Sequence, residues 1–455
     1  MKKIFYIYSV SALCILMGCN KFLDIEPKGK VIPATIEDYH LLLAPVTQLL
    51  AEEELFLTAD DFISDKEALG DLSNPDNKKF HLYTYNNLRF GNPEIEINGW
   101  NGPYANLYVY NKVINEIDNA QDALGYTEED KKRIKSEALY GRAVQYFFLV
   151  NMFAKHYDKA TAGSDAGVPI LLTANTSQES PKQSRVAEVY DLILRDLSEA
   201  IPNLPKKRIE INRPSKGAGY AMLARVYLYQ REYVQALKNV ELALAENAKL
   251  TDYTTLEPDG LREGYSDEQY TSLTFNYSMG FTDGVLSDDM MALYDENDKR
   301  FNGILGCKWI RGSDGEWSED CTKRENNYKI TPNPLPSVAE MYVTAAECYA
   351  RANRTADALQ KLNELRKHRI AEVAELTLAD FQSPDDLLKF ALEERRRELV
   401  MNGTRLFDLK RLNLDPRFAK TVKHVLENKV YEAAPNSDKL ILPIPMQVKS
   451  FNPNL

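Results

Sequence analysis

Residues 219–250 read GYAMLARVYLYQREYVQALKNVELALAENAKL, and small and aromatic residues recur along this stretch at helical spacing. The recurring residues are Ala224, Tyr227, Tyr233, Ala236 and Ala243. Residues three, four or seven positions apart share one face of an α-helix. An alanine on that face lets a neighbouring helix approach closely, and a tyrosine fills the space beside it. The stretch therefore predicts two helices that pack against each other.

A second copy of the pattern, MYVTAAECYARANRTADALQKLNEL, carries Ala346 and Ala358. These two alanines are twelve residues apart, as are Ala224 and Ala236 in the first copy. Self-similarity of this kind is the sequence signature of stacked helical repeats. The pairing of small residues with an aromatic one, here Tyr349, resembles the tetratricopeptide repeat, in which each unit is a helix–turn–helix.

A third copy of the repeat is interrupted. Its first helix is predicted around Ala143 and Tyr146, and its second helix around Tyr190 and Ala200. The residues between the two helices include glycines and prolines, which are typical of loops. Other insertions follow the later helices. The predicted insertions span about residues 157–185, 251–335 and 403–455.

The insertions differ in composition from the helices. They are rich in Gly, Asn, Asp and Pro, and include short β-like runs such as YTSLTFNYSMGF. A plain repeat scaffold does not need such segments, and insertions on a stacked helical layer are where binding faces are usually built. We therefore predict a mainly α protein with a tetratricopeptide-like scaffold of about four helix pairs. An irregular, loop-rich ligand-binding layer with short β-hairpins completes the single domain, residues 19–455.

The chain opens with Lys2 and Lys3, followed by an uncharged apolar run over residues 4–17. This run is too short to span a bilayer as a helix, which takes about 20 residues. It is typical of the apolar region of a secretory signal peptide, and the alternative is a buried N-terminal helix. The following LMGC resembles a bacterial lipobox, in which the cysteine is acylated. We predict a signal peptide over residues 1–18 and a lipid anchor on Cys19.

The composition of the chain excludes one class of partner. Its 455 residues are 44% hydrophobic and 27% charged, the balance of a folded soluble protein. The formal net charge is −11, which argues against nucleic-acid binding because phosphate contacts need clustered Lys and Arg. Acidic and basic residues are mixed along the chain, so we interpret the charge as a source of solubility.

Three cysteines remain once Cys14 and Cys19 in the N-terminal segment are set aside. Cys307 and Cys321 bracket a stretch whose Gly-Ser-Asp-Gly centre can turn. A disulfide between them is possible in an oxidising compartment outside the cytoplasm, and so are two free thiols. Cys348 lies in an apolar helical stripe, which predicts a buried thiol.

The sequence contains few signals of catalysis. It has no HExxH, CxxC, GxSxG, GxGxxG or phosphate-binding loop. Its five histidines are scattered, without metal-ligand spacing, and we expect neither a metal nor a cofactor. In the run EERRREL, Glu393 and Arg397 are four residues apart, which predicts an ion pair on a helix surface.

The three tryptophans suggest a different chemistry. Sugar rings present a face of C–H groups that stacks on aromatic rings, while their hydroxyls need polar partners. Trp100 is followed by Asn101, and the insertion over about residues 251–335 holds the other candidates. We predict ligand binding by Trp100, Asn101, Trp309, Arg311 and Trp317. The alternative for Trp100 is that it only caps the helix that follows it.

Several longer motifs together resemble the RagB/SusD family. They are CNKFLDIEPKG, WNGPYANLYVYNKVINEID, DDMMALYDENDKRFNG, ALEERRRELVMNGTRLFDLKRLN and LILPIPMQVKSFNPNL. The motifs follow the family's order from Cys19 to Leu455, and the late helix with its RLFDL continuation is the most specific of them.

The resemblance implies a lipoprotein on the outer surface of the outer membrane that captures a nutrient, usually an oligosaccharide and sometimes a peptide. It implies a SusC-like TonB-dependent transporter as the partner, over which the protein sits as a lid. It also implies a scaffold of four tetratricopeptide-like repeats. Trp100 and Asn101 match a loop that contributes to the glycan site in starch-binding relatives.

Two other classes of function stay open at this stage. A glycoside hydrolase would need two carboxylates about 5–10 Å apart across a cleft, beside Trp309 or Trp317. A pure interaction scaffold would bind a protein partner through the repeats and no small ligand. Our interpretation is a non-enzymatic binding protein for an oligosaccharide.

Overall fold

The computed structural model describes residues 33–46, 48–49, 52–86, 92, 95–175, 181–256, 267–275, 284–303, 305–311, 315–326, 333–400 and 402–455. The helices, named in chain order, are α1 Ile36–Leu42, α2 Glu52–Phe56, α3 Lys66–Leu69, α4 Lys78–Tyr83, α5 Asn98–Glu116, α6 Glu128–Phe153, α7 Val186–Ala200, α8 Lys216–Tyr229, α9 Tyr233–Glu246, α10 Asp288–Met291, α11 Lys299–Gly303, α12 Val338–Arg351, α13 Thr355–Arg366, α14 Pro384–Glu398, α15 Arg405–Leu412 and α16 Met446–Phe451. The strands are β1 Gln48–Leu49, β2 Phe62–Ile63, β3 Ala166–Pro169, β4 Gln183–Arg185, β5 Thr274–Phe275, β6 Val285–Leu286, β7 Leu305–Arg311, β8 Trp317–Asn326, β9 Val422–Leu426 and β10 Lys429–Ala433.

Eight of these helices form the scaffold. Consecutive helices pack in pairs, α6 with α7, α8 with α9, and α12 with α13, while α5 packs on α6 and α14 packs on α12. The contact between α9 and α12 joins the pairs across the long insertion. The prediction of a mainly α, tetratricopeptide-like scaffold is confirmed.

The two clear repeat copies share their local chemistry. Ser215 and Ser337 cap α8 and α12, each side chain accepting a hydrogen bond from a backbone N–H three residues on. Arg231 and Asn353 lie in the turns after these helices with φ of 60° and 56°. Both residues occupy the same position of the repeat. The chain reverses direction there, and the turn requires a left-handed (positive φ) backbone conformation.

The small residues of the repeat lie where the helices meet. The side chains of Ala224, Ala236, Ala346 and Ala358 are completely buried. Gly141 in α6 shows how close this packing is, because a Cβ added there would overlap the ring of Tyr110 on α5. Helix backbones that approach this closely bury apolar area with few voids, which stabilises the stack.

The charged run EERRREL is not the surface pair that its spacing predicted. Arg397 is buried and pairs with Glu394, at 2.6 Å, while Glu393 lies 3.9 Å from Lys389 of its own helix. Arg300 from α11 also reaches Glu394, at 2.7 Å. The prediction of a Glu393–Arg397 pair is wrong because Arg397 and Glu394 are buried together, with Arg300 of α11 beside them, while Glu393 lies nearer the surface.

A second buried charge cluster joins three scaffold helices. Glu340 on α12 accepts hydrogen bonds from Arg225 of α8 and from Arg395 of α14, and all three side chains are buried. Arg395 continues to Asp408 on α15 at 2.9 Å. Buried charges are tolerated only when they are paired in this way.

An irregular layer covers one part of the scaffold. β1 pairs with β5 in parallel, β2 pairs with β6 in antiparallel, and β6 contacts β8. The segment 48–63 is thereby joined to the insertion that carries the β7–β8 hairpin. Arg396 and Arg405 bind Asp61 and Asp60, at 2.7 and 2.6 Å, and tie this layer to α14 and α15.

The predictions for the cysteines and for the N-terminal segment have different outcomes. Cys348 is a buried free thiol, as predicted. Cys307 is disulfide-bonded, and the side chain of Cys321 lies outside the described residues, so their pairing stays a prediction. The signal peptide and Cys19 also lie outside the described residues. Within the described part of the chain, no helix is both long and apolar enough to cross a membrane.

Candidate functional site

The β7–β8 hairpin brings most of the predicted ligand residues together. Its antiparallel register pairs Trp309 with Glu319 and Arg311 with Trp317. Directly paired residues share a face of a hairpin, and residues two apart along a strand share it too. The register therefore places these four residues on one face, which we call the tryptophan face.

The described members of the outer half of the hairpin are open to solvent. Glu319 on the tryptophan face is exposed, and so is Ser318, which occupies the opposite face. The side chains of Trp309, Arg311 and Trp317 lie outside the described residues, and their role as ligand contacts stays a prediction. A carboxylate beside them adds a hydrogen-bond acceptor for a ligand hydroxyl.

The inner half of the hairpin is anchored. Leu305 at the start of β7 is completely buried in the main core. α11 packs on β7, and β6 packs on β8. The hairpin is thus fixed at its base by apolar contacts, while its described outer residues remain exposed, which suits a recognition element mounted on a rigid frame.

The opposite face of the hairpin carries Asp320. Its carboxylate accepts hydrogen bonds from the hydroxyl and the N–H of Thr322, at 2.5 and 3.1 Å. These bonds lower the pKa of Asp320 and favour its ionised form. Because Glu319 and Asp320 are adjacent on a strand, their side chains belong to opposite faces, so this pair does not form the facing carboxylates of a glycosidase.

The prediction of a ligand contact at Trp100 needs correction. Trp100 lies in the first turn of α5 and is only 4% exposed. Its ring packs edge-on against Phe153, with the ring centroids 4.9 Å apart, and against Tyr104 at the same distance. A ring enclosed in this way cannot stack on a sugar, so Trp100 acts in the core. Asn101 is exposed on the same helix, and its role as a ligand contact stays a prediction.

Glu319 is the member of the tryptophan face that sequence analysis missed. The period of two along β8 would have linked it to Trp317, but only the register with β7 places it opposite Trp309. A pairing register between two strands depends on the turn and the bulge between Cys307 and Lys308, which the sequence pattern does not locate.

Comparison with known proteins agrees with this architecture. A SusD-like family model, described as starch-binding and associating with the outer membrane, matches residues 21–228. The model of the SusD family matches residues 293–455, which include the hairpin. The chain belongs to the RagB/SusD family. The resemblance identified in the sequence is therefore confirmed, and with it the family-level function of carbohydrate binding.

Individual SusD relatives cover nearly the whole length. The SusD-like protein P2 of Formosa agariphila is 23% identical, across 100% of this chain and 99% of that protein. A SusD superfamily structure from Bacteroides thetaiotaomicron has a TM-score of 0.72 at 21% identity, covering 92% of this chain and 99% of that one. A laminarin binding SusD-like protein has a TM-score of 0.63 at 20% identity, covering 92% and 97%. At these identities the likeness to solved structures establishes the fold.

Proposed function

We propose that this SusD-family protein captures an oligosaccharide on the tryptophan face and delivers it to a TonB-dependent transporter of the outer membrane. The observation that carries the proposal is the register of the hairpin, which assembles Trp309, Arg311, Trp317 and Glu319 on one face. Two indole rings, a guanidinium and a carboxylate supply stacking surfaces, donors and acceptors, the groups that a sugar needs.

Capture would combine stacking with hydrogen bonds. The C–H faces of the sugar rings would lie on the indoles, while Arg311 donates to ring hydroxyls and Glu319 accepts from them. Water competes for each hydroxyl, so only the surplus of pairing energy contributes to affinity. The resulting affinity is modest, which suits a protein that must release its cargo to a transporter.

Membrane attachment would place the protein where its cargo arrives. The acyl chains on Cys19 would tether the chain to the outer membrane, with the polar segment after the cysteine as a linker. More than one acyl chain is needed for stable anchoring. The proposal rests on the lipobox in the sequence and on the family's association with the outer membrane.

The first experiment is a glycan array probed with the chain that begins after Cys19, followed by calorimetry with the best ligand. We expect Trp309→Ala and Trp317→Ala each to weaken glycan binding by about 1–3 kcal/mol, because each removes a stacking surface. Their melting temperatures should stay close to that of the wild type, since the neighbouring described residues Ser318 and Glu319 are exposed.

Ser318→Ala is the matched control, because Ser318 is exposed on the opposite face of the same hairpin. It should leave glycan affinity unchanged. Equal affinity in the tryptophan variants and the wild type would refute the assignment of the site. If a peptide library binds and no glycan does, the cargo is a peptide instead of an oligosaccharide. Cleaved glycan in the array eluate would indicate a hydrolase. Retention of a transporter partner without any small ligand would indicate a scaffold.

A further inference from the structure

Hydrogen bonds join the first described segment of the chain to two loops. The backbone N–H of Gln121, in the loop between α5 and α6, donates to the carbonyl oxygen of Ala34 at 2.8 Å. The guanidinium of Arg213, in the loop between α7 and α8, donates to the carbonyl oxygen of His40 at 2.9 Å. These contacts hold residues 33–43 and both loops together in one region of the protein.

Each of these three segments exposes large apolar side chains. Leu124 in the first loop is fully exposed, and Leu41 on α1 is more than half exposed. Ile209 and Ile211 in the second loop are also more than half exposed. Single exposed apolar residues are common on protein surfaces, but several of them on adjoining segments mark a surface that contacts an apolar partner. We call these four residues the anchor-side group.

The loop that carries the two isoleucines has a fixed backbone. The N–H of Lys216 donates to the carbonyl oxygen of Pro205 at 2.8 Å, which closes the loop at its base. The N–H of Ser272 donates to the carbonyl oxygen of Ile211, also at 2.8 Å. The backbone is thus held while the side chains of Ile209 and Ile211 remain exposed, which is typical of a compact loop that presents its side chains to a partner.

Charged side chains of both signs surround the anchor-side group. Lys206 and Lys207 are exposed beside the isoleucines, and so are the acidic residues Glu37, Asp122 and Glu210. This mixture does not favour attraction to a polyanion, which needs clustered positive charge. It suits a partner whose surface is polar and whose interior is apolar. A lipid bilayer has that layered structure.

The distance along the chain to the proposed anchor favours the bilayer as the partner. Residue 33 follows Cys19 by 14 positions, and a chain of that length spans at most about 50 Å. Acylation of Cys19 would keep the bilayer within this distance of residues 33–43 and of the loops bound to them. Tethering makes each further contact intramolecular, so apolar contacts that are too weak to hold a free protein become occupied.

We propose that the anchor-side group enters the headgroup region of the membrane and orients the tethered protein on the bilayer. The inference rests on the acylation of Cys19 proposed above, and it does not require the tryptophan face to bind glycans. Four side chains are too few to hold the chain without its anchor, so they orient the protein and do not attach it. The tryptophan face would then keep a constant position relative to the membrane.

The test attaches the mature chain to vesicles without its acyl chains. A hexahistidine tag in front of Asn20 binds a nickel-chelating lipid in phosphatidylcholine vesicles, whose brominated tails quench indole fluorescence on contact. Leu124→Trp places an indole in the anchor-side group, where the membrane interface favours it. Val234→Trp is the matched control, because Val234 is 81% exposed on α9 of the repeat stack. Relative to the wild type, the added emission should be lost in Leu124→Trp and retained in Val234→Trp.

A second variant separates docking of this face from the proximity that any tether produces. Leu41→Asp, Ile209→Asp and Ile211→Asp are introduced together into Leu124→Trp. All three positions are exposed, so the melting temperature should stay close to that of Leu124→Trp. The quenching should disappear, because carboxylates are costly to bring into a bilayer.

Two results would overturn the proposal. One is equal quenching of Leu124→Trp and Val234→Trp, and the other is quenching that persists with the three aspartates. A dimer that the aspartates dissociate, without quenching of Leu124→Trp, would assign the face to a second copy and would overturn it as well.

The outcome is distinguishable from a failure of the proposed function. The tag replaces Cys19, so the quenching does not depend on acylation in the cell, and glycan affinity does not enter the measurement. A negative glycan array would refute capture, and membrane retention of Cys19→Ala would refute the anchor. Neither result would change the quenching.

Discussion

Glu393 and Glu394 are neighbours in α14, yet their surroundings differ completely. Glu394 is completely buried between Arg300 and Arg397, whereas Glu393 lies near the surface. Burial alone would raise the pKa of Glu394, but Arg300 and then Arg397 outweigh it and hold this pKa at about 2. The carboxylate is therefore ionised at neutral and mildly acidic pH.

This contrast gives a matched pair of variants. Glu394→Gln removes the buried carboxylate that Arg300 and Arg397 share, so we expect a loss of about 3–5 kcal/mol in the free energy of unfolding. Glu393→Gln should change it by less than about 0.5 kcal/mol. Urea unfolding followed by circular dichroism measures both, and equal losses would contradict the buried network.

His156 makes stability depend on pH. The pKa is 6.5 in the unfolded chain and about 3 in the folded protein, where burial disfavours the charged ring. Between these values the unfolded chain binds a proton that the folded chain does not, so stability falls as the pH drops. His156→Asn should flatten this fall by about 1–3 kcal/mol between pH 6.5 and 4.5. Urea unfolding at four pH values measures the free energy of unfolding of both proteins. If this free energy falls equally with pH in the variant and the wild type, the role of His156 is contradicted.

At the scale of elements, two arginines couple the irregular layer to the scaffold. Asp60 and Asp61 precede β2, and Arg405 and Arg396 hold them from α15 and α14. Burial opposes the ionisation of Asp60, but Arg405 and Arg396 outweigh it and keep its pKa well below the usual value. The layer that carries the hairpin is thus fixed by charge as well as by short strands.

Asp60→Asn should loosen that layer without unfolding the helices. The amides of β2 and β6 should exchange with deuterium about tenfold or more faster, because the local opening costs less free energy. The amides of α8 and α12 serve as the internal control and should keep their protection. Faster exchange throughout the chain would show that the layer and the scaffold unfold together.

At the scale of the whole molecule, we expect glycan binding and the proposed membrane anchoring to be separable. The predicted anchor at Cys19 precedes the first described residue by 14 positions and lies outside both family matches. Cys19→Ala should therefore release the protein from the membrane fraction while its glycan affinity stays within a factor of two. Fractionation with calorimetry measures both properties. Membrane retention of the variant would show that another segment or partner holds it.

The sequence by itself determined the scaffold, because the small and aromatic residues that pack helices recur at a spacing fixed by helix geometry. It also predicts recognition in the insertion, since Trp309 and Arg311 stand apart from any apolar stripe, and that assignment stays a prediction. The sequence-based prediction for Trp100 was wrong. A tryptophan with polar neighbours in the sequence can still point into a core that residues from distant helices complete.

Only the tertiary structure decided the rest. Local spacing could not show that Glu394 rather than Glu393 carries the ion pairs, because the partner Arg300 is about a hundred residues away in the chain. Local spacing also could not show that Glu319 pairs with Trp309, or that His156 and Asn413 line the same cavity. Contacts between residues far apart in sequence depend on how whole elements pack, and no local periodicity records that packing.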